Sequence, residues 1–218
     1  MRIIGIDEAG RGPVIGPFVM CGVQLLEEDN SKLQAMGVKD SKQLTKKRRE
    51  FLFAEIKTVI ENHTLVIITP EEIDTFMRKG VSLNDIEAKA TGEILSALSG
   101  DKAYIDCPSV NARKYAAQLK AKLDKKMELV VEHKADETYV CVGGASILAK
   151  VVRDREIEKL QKEYGDFGSG YPSDPKTKQF LQKNVDKYPH IFRHLWEPWE
   201  RAAEEKVQRR LHEFREEQ

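Results

Sequence analysis

Apolar residues fall into five short runs along the chain, and each run has the length and composition of a β-strand. The first run, residues 2–7, is short, apolar and β-branched, which is typical of a buried strand. Pro70 closes the third run and Pro108 follows the fourth. The predicted strands are residues 2–7, 18–26, 64–69, 102–106 and 128–132.

Helical periodicity predicts most of the intervening segments. Thr45 is a suitable N-cap for the first long helix, and Asn84 with Glu87 has the spacing of a capping box. Pro198 suits the first turn of the last helix. The predicted helices are residues 45–61, 84–98, 110–123, 144–163 and 198–215.

The order of these elements predicts a mixed α/β domain. The first two strands are joined by a short connection, which favours an antiparallel pair, whereas the fourth and fifth follow helical crossovers, which favour parallel neighbours. We expect residues 1–185 to form the main domain. We expect residues 186–218 to form a helical extension packed on it.

Composition narrows the class of protein. Of the 218 residues, 40% are hydrophobic and 33% are charged, which provides a packed core and excludes a disordered chain. Lys plus Arg and Asp plus Glu number 36 each, so a uniformly basic coat for nucleic acid is excluded, although a local basic stripe is not. The three cysteines form no CxxC pair, which argues against a disulfide scaffold or structural zinc. With no apolar run near ~18 residues and no signal peptide, we expect a cytoplasmic protein without a membrane span.

Acidic residues follow the predicted strands where a ligand site is expected. Asp7 and Asp106 each end an apolar strand, Glu8 follows Asp7, and Asp136 lies between the fifth strand and the next helix. Ligands of open α/β sheets bind at the carboxyl ends of strands. Converging carboxylates repel each other unless a cation lies among them, and Mg²⁺ prefers oxygen ligands. Two such ions ~3.5–4 Å apart can cleave a phosphodiester. The alternative is that these residues only form turns.

A glycine-rich turn follows the first strand. Ile15 stands where a dinucleotide-binding fingerprint requires its third glycine, so that type of site is excluded. Gly10 and Gly12 would allow close approach of the backbone to a phosphate, with Arg11 beside it. A simple tight turn remains the alternative.

Five motifs together resemble ribonuclease HII, in an archaeal form. They occur in the family's order across roughly residues 3–200. The motifs are IDEAGRGP at residues 6–13, DSKQL at 40–44, YID at 104–106, HKAD at 133–136 with ASILAK at 145–150, and GSGYPSD at 168–174.

The resemblance implies a ribonuclease H-like fold, with a five-stranded mixed sheet flanked by helices. It also implies an endonuclease that cuts the RNA strand of RNA–DNA hybrids and cuts 5′ to a single ribonucleotide in duplex DNA. The products would carry 5′-phosphate and 3′-hydroxyl ends. The resemblance also implies that Mg²⁺ or Mn²⁺ would occupy a two-metal site held by Asp7, Glu8, Asp106 and Asp136.

The resemblance also assigns substrate contacts. The backbone of Gly10, Arg11 and Gly12 would grip the phosphates at the RNA–DNA junction and sense the 2′-hydroxyl. Lys42 would contact a phosphate, and Tyr171 would stack on the sugar of the next deoxynucleotide. A further pair, Ser146 and Lys150, lies one helical turn apart and could contact the substrate backbone; capping and packing roles are the alternative.

The tail contains residues with the spacing of a partner-binding motif. Gln208, Leu211 and Phe214 have the spacing of a sliding-clamp box, but Arg215 stands where a second aromatic residue is expected. A packed helical stripe explains the same residues. We expect a monomer. The competing functions are a carboxylate–metal DNA nuclease or resolvase of the same fold, and a non-catalytic module that binds hybrids.

Overall fold

The structure is a computed structural model that describes residues 1–38, 44–121, 123 and 126–216, with side chains as far as Arg209. All five predicted strands are present, and the first continues beyond its predicted end at residue 7. The strands are β1 (Arg2–Ala9), β2 (Phe18–Leu26), β3 (Asn62–Ile68), β4 (Lys102–Asp106) and β5 (Glu128–Glu132).

The strands form one mixed sheet in the order β3-β2-β1-β4-β5. β1 is antiparallel to β2, with Asp7 opposite Cys21. β1 is parallel to β4, and β4 is parallel to β5. The five-stranded mixed sheet and both predicted strand directions are therefore confirmed.

Along the described part of the chain, helices connect the strands from β2 onward and follow the last one. The periodicity did not predict four of these helices, namely α1, α3, α6 and α8. Single 3₁₀ turns span Glu27–Asp29 and Pro189–Ile191. The helices are α1 (Asn30–Ala35), α2 (Lys46–Val59), α3 (Pro70–Arg78), α4 (Leu83–Ala97), α5 (Ala112–Lys120), α6 (Ala135–Thr138), α7 (Val140–Tyr164), α8 (Pro175–Asn184) and α9 (Glu197–Glu216).

The helix caps test the local predictions. Thr45 caps α2 as predicted, since its hydroxyl accepts a hydrogen bond from the Arg48 amide at 3.2 Å. The predicted Asn84 cap of α4 is wrong. Ser82 has the extended backbone of an N-cap and accepts from the amide of Asp85 at 3.2 Å, so the helix has already begun at Asn84.

Residues 1–9, 18–67 and 82–154 form one compact unit, which contains the sheet. The beginning of α7 packs directly on β1 at Gly5. A Cβ built on Gly5 would lie 2.3 Å from the carbonyl carbon of Cys141, so no larger residue fits without moving α7. The buried cluster of this unit includes Val23, Ala145 and Leu148.

Residues 10–17, 68–81 and 155–218 form a second compact unit with its own buried cluster. Val14, Phe167, Leu181 and Phe192 belong to that cluster. A catalytic domain that ends at residue 185 stays a prediction. Within the described part of the chain, no helix combines the length and the apolar character that a membrane span requires.

Candidate active site

Two of the predicted carboxylates occupy matching positions on neighbouring parallel strands. The parallel ladder between β1 and β4 ends where Ile6 pairs with Ile105. Asp7 and Asp106 are the next residues on the two strands, so both lie at the carboxyl end of that ladder. The sequence prediction that these two residues share one edge of the sheet is confirmed.

A short helix positions the third aspartate. Lys134 adopts a left-handed conformation, with φ of 58°, and turns the chain from β5 into α6. The amide of Ala135 then donates a hydrogen bond to Oδ1 of Asp106 at 2.8 Å. Asp136 is the next residue, is buried, and lies in the first turn of α6. The turn therefore fixes the backbone beside Asp136 to the end of β4.

Asp7 has a buried and highly polar environment. Its Oδ1 accepts from the amide of Glu8 at 2.7 Å, and its carboxyl group is hydrogen-bonded to the hydroxyl of Ser146. Lys150 donates to that same hydroxyl. Burial raises the pKa of Asp7 to about 7; the positive charge of Lys150 and the Ser146 hydrogen bond oppose this rise, and the charge of Glu8 adds to it. The structure thus brings Asp7, Glu8, Ser146 and Lys150 together.

The carboxylates fit a divalent ion by the chemistry of their donor atoms. Oxygen donors of this kind suit Mg²⁺ and Mn²⁺. A nearby cation would favour the charged form of Asp7, which burial disfavours. In the conformation described, however, no three His, Cys, Asp or Glu side chains of the described residues are grouped closely enough to hold a metal ion. The four-carboxylate ligand set therefore stays a prediction.

The segment Gly10–Pro17, here called the glycine loop, is held by two other segments of its own compact unit. The amides of Val14 and Ile15 donate to the carbonyl oxygen of Gly170 at 2.9 and 3.3 Å. The amide of Gly16 donates to the carbonyl oxygen of Ile191 at 3.0 Å. The loop is therefore a fixed structure rather than a simple turn between β1 and β2.

Tyr171 lies against the glycine loop. A Cβ built on Gly12 would be 3.7 Å from Cε1 of the tyrosine ring, which is 39% exposed. The carboxylate of Asp174 supports this segment, because it accepts hydrogen bonds from the amide and the hydroxyl of Ser169, each at 2.8 Å. The structure thus brings together two of the predicted substrate-binding residues, Gly12 and Tyr171.

One predicted residue cannot be placed and one important residue was missed. Lys42, with the rest of residues 39–43, lies outside the described residues. Arg193 was not identified from the sequence, yet its buried side chain donates hydrogen bonds to the carbonyl oxygens of Gly10, Arg11 and Gly16. No sequence signal marks it, because its hydrogen-bond partners are carbonyl oxygens, which every residue has.

The family of the chain follows from comparison with known proteins. The family model for ribonuclease HII matches residues 4–198. Ribonuclease HII of Pyrococcus furiosus is 48% identical over 202 residues, which cover 90% of this chain and 89% of that protein. Ribonuclease HII of Pyrococcus abyssi is 47% identical over 214 residues, covering 96% and 94%.

Comparison with solved structures identifies the same family. The ribonuclease H2 of Pyrococcus horikoshii OT3 superposes with a TM-score of 0.88 at 42% identity, covering 94% of this chain and 98% of that one. The ribonuclease HII in a complex with PCNA from Archaeoglobus fulgidus gives 0.83 at 41% identity, covering 90% and 96%. A Bst-RNase HIII in complex with Mn²⁺ gives 0.79 at 21% identity, covering 93% and 69%, and shows the shared fold.

The predicted ribonuclease H-like α/β fold is confirmed by these structures. The match to ribonuclease HII excludes the two competing functions, which are a DNA nuclease or resolvase and a non-catalytic module. The chain belongs to the ribonuclease HII family, and it is an endonuclease that cleaves the RNA strand of RNA–DNA hybrids.

Proposed function

We propose that this ribonuclease HII uses a two-metal carboxylate site and also cleaves 5′ to a single ribonucleotide in duplex DNA. The observation that carries the metal site is the matched position of Asp7 and Asp106 at the end of the β1–β4 ladder. The hydrogen bond from Ala135 to Asp106, which fixes the backbone beside Asp136, supports it further. Membership of the ribonuclease HII family supports cleavage at a single ribonucleotide. The products would carry 5′-phosphate and 3′-hydroxyl ends.

Asp7, Glu8, Asp106 and Asp136 are the residues that would hold Mg²⁺ or Mn²⁺. Bound ions would supply the positive charge that activates a water molecule and stabilises the leaving oxygen. Ser146 and Lys150 orient the carboxyl group of Asp7, because the hydroxyl contacts both the lysine and the aspartate. We therefore propose that Ser146 and Lys150 act beside the carboxylates in addition to contacting the substrate backbone.

The glycine loop and Tyr171 are the proposed substrate contacts. Backbone amides of Gly10, Arg11 and Gly12 would bind the phosphates around the ribonucleotide and sense its 2′-hydroxyl, which distinguishes RNA from DNA. Tyr171 would stack on the adjacent deoxyribose, and Lys42 would bind a phosphate. The exposed ring of Tyr171 beside Gly12 supports this assignment.

A sliding clamp is the proposed protein partner of a cytoplasmic monomer. The ribonuclease HII of Archaeoglobus fulgidus was solved in a complex with PCNA. In this chain, Gln208, Leu211 and Phe214 fall within α9, which runs to Glu216. Deletion of residues 207–218 should abolish clamp binding in a pull-down while leaving hybrid cleavage intact. A deletion that binds the clamp normally would contradict the assignment.

The decisive experiment compares two duplexes that differ by one ribonucleotide. The wild-type enzyme with Mg²⁺ or Mn²⁺ should cut only the duplex that contains the ribonucleotide, immediately 5′ to it, when the products are resolved to the nucleotide. Asp106→Asn should cut neither duplex. Asp101→Asn, which changes a carboxylate just before the opposite end of β4, should cut normally. Equal cleavage of both duplexes would refute the proposal.

A further inference from the structure

Arg193 places a positive charge inside the protein against the main chain of the glycine loop. Its side chain is completely buried. Nη2 donates to the carbonyl oxygen of Gly10 at 2.6 Å, and Nη1 donates to that of Arg11 at 2.9 Å. Nε and Nη2 both donate to the carbonyl oxygen of Gly16, at 3.2 and 3.0 Å. Because burying a charge without hydrogen bonds is very costly, these carbonyl groups stabilise Arg193 and are held by it in turn.

Because the peptide unit is planar, the hydrogen bonds that fix these carbonyl groups also fix the direction of the N–H groups in the same peptide units. The carbonyl group of Gly10 shares a peptide unit with the amide of Arg11, and the carbonyl group of Arg11 shares one with the amide of Gly12. The described chain contains no cis peptide bond. In a trans unit the C=O and N–H groups point in opposite directions. Arg193 therefore directs the amides of Arg11 and Gly12 away from itself.

The backbone around Arg193 fixes the other half of the loop. The amide of Arg193 donates to the carbonyl oxygen of Val14 at 2.9 Å, and Ile15 forms an antiparallel bridge with Phe192. The guanidinium group also lies over the ring of Trp196, with Cζ 5.0 Å from its centroid. A single residue is thus tied to both halves of the glycine loop, by its side chain and by its backbone.

We propose that Arg193 is a positioning residue that presents the amides of Arg11 and Gly12 to the phosphate and 2′-hydroxyl of the ribonucleotide. The inference rests on the substrate role proposed for the glycine loop. The rigid fork of the guanidinium group can hold several carbonyl groups at fixed angles, which a lysine cannot do. Its permanent charge behind the two peptide units also favours a phosphate in front of them.

The test uses two variants of Arg193 and a matched core variant. Arg193→Lys keeps the charge and loses the fork, and Arg193→Met loses both. Leu181→Ala truncates a buried side chain in the hydrophobic cluster of the same unit and removes no hydrogen-bonding group, so it should lower the melting temperature. For each folded variant, kcat and KM are measured on a duplex with one ribonucleotide and on a continuous RNA–DNA hybrid. Binding of the single-ribonucleotide duplex is measured by fluorescence anisotropy in the Asp7→Asn background.

We expect Arg193→Lys to lose roughly 100-fold in kcat/KM on the single-ribonucleotide duplex, the loss expected when a reacting group is misplaced by about 1 Å. It should lose less on the continuous hybrid, where neighbouring ribonucleotides offer alternative registers. It should also bind the single-ribonucleotide duplex more weakly in the Asp7→Asn background. Leu181→Ala should keep the wild-type ratio between the two substrates, and the Mg²⁺ dependence should stay unchanged in Arg193→Lys.

The outcomes separate this inference from the proposed function. A folded Arg193→Lys enzyme with the wild-type substrate ratio and binding would overturn the positioning role and leave the proposed function standing. A ratio that changes equally in Leu181→Ala would show general destabilisation, which also overturns it. A wild-type enzyme that cannot cleave the single-ribonucleotide duplex would refute the proposed function itself. If Arg193→Met does not fold, Arg193→Lys alone decides between these outcomes.

Discussion

Tyr171 lies beside Gly12 of the glycine loop, so that a methyl group added on Gly12 would sit 3.7 Å from Cε1 of the tyrosine ring. The two residues are far apart in the sequence, and the hydrogen bonds from Val14 and Ile15 to Gly170 hold them together. The lack of a side chain at Gly12 is therefore a requirement of the proposed substrate surface and not of folding.

The substitution Gly12→Ala tests this relationship. Because 3.7 Å is an ordinary van der Waals contact, the melting temperature should change little. Cleavage of the single-ribonucleotide duplex should fall by at least about tenfold, because the added methyl group would keep the substrate away from the backbone of the glycine loop. Steady-state kinetics would measure the effect.

Gly92→Ala is the matched control for that variant. Gly92 lies within α4, and a Cβ there would meet nothing within 4 Å. Alanine in a helix interior is more favourable than glycine by about 0.5–1 kcal/mol, so this variant should be more stable and fully active. A Gly12→Ala enzyme with the activity of Gly92→Ala would contradict the role of the loop.

Asp7→Asn should abolish turnover while the protein stays folded. The substitution removes a carboxylate whose ionised form is disfavoured by burial, so it should not lower stability strongly. Millimolar Mg²⁺ or Mn²⁺ should raise the melting temperature of the wild type, because an ion at 100 times its dissociation constant adds about 2.7 kcal/mol to the free energy of unfolding. The ions should raise the melting temperature of the variant less. Differential scanning fluorimetry with and without a chelator would measure both effects. Identical shifts for the two proteins would place the ions elsewhere.

The support of the Tyr171 segment should depend on pH. Hydrogen bonds from the amide and the hydroxyl of Ser169 lower the pKa of Asp174 below its usual value. The carboxylate therefore stabilises the folded state above about pH 3.9, the usual pKa of an aspartate, and this contribution disappears as the pH falls through the lower folded-state pKa. Asp174→Asn should be less stable than the wild type at pH 7, and the difference should vanish in strong acid. Urea denaturation at a series of pH values would show whether the difference is instead constant.

The three cysteines should react slowly in the native protein. All three are free and buried. Burial raises the pKa of Cys141 to about 12 and also raises the pKa values of Cys21 and Cys107. Little thiolate is then present at pH 8, and the thiolate is the reactive form. Mass spectrometry after iodoacetamide should find little modification in the folded protein and full modification in urea; rapid native labelling would contradict the described packing.

The sheet could be predicted because each strand is a short apolar run with a clear stop, and Asp7 and Asp106 could be placed because strand ends are visible in such a pattern. Helix α3 is not predicted, because a proline after an apolar run indicates the end of a strand. In the structure Pro70 is instead the first residue of a helix, with a capping box formed by Thr69 and Glu72. Helix α6 has only four residues, which is too short to show a period.

Arg193 could not be predicted for a different reason. Its partner Gly10 is 183 positions away in the sequence, and a side chain that donates to carbonyl groups leaves no pattern in the identity of its partners. Any residue offers a carbonyl oxygen. The positions of Ser146 and Lys150 near Asp7 likewise required the packing of α7 on the sheet, which the helical spacing alone does not give.

The absence of a side chain at Gly5 has a consequence for tolerance to mutation. Residue 5 touches no proposed ligand, yet a single added carbon there would force the start of α7 outward from β1. Ser146 belongs to the same helix and would move with it, away from the carboxyl group of Asp7. The missing side chain of Gly5 thus sets the position of α7 on β1, and a conservative change two residues from Asp7 would act as an active-site mutation.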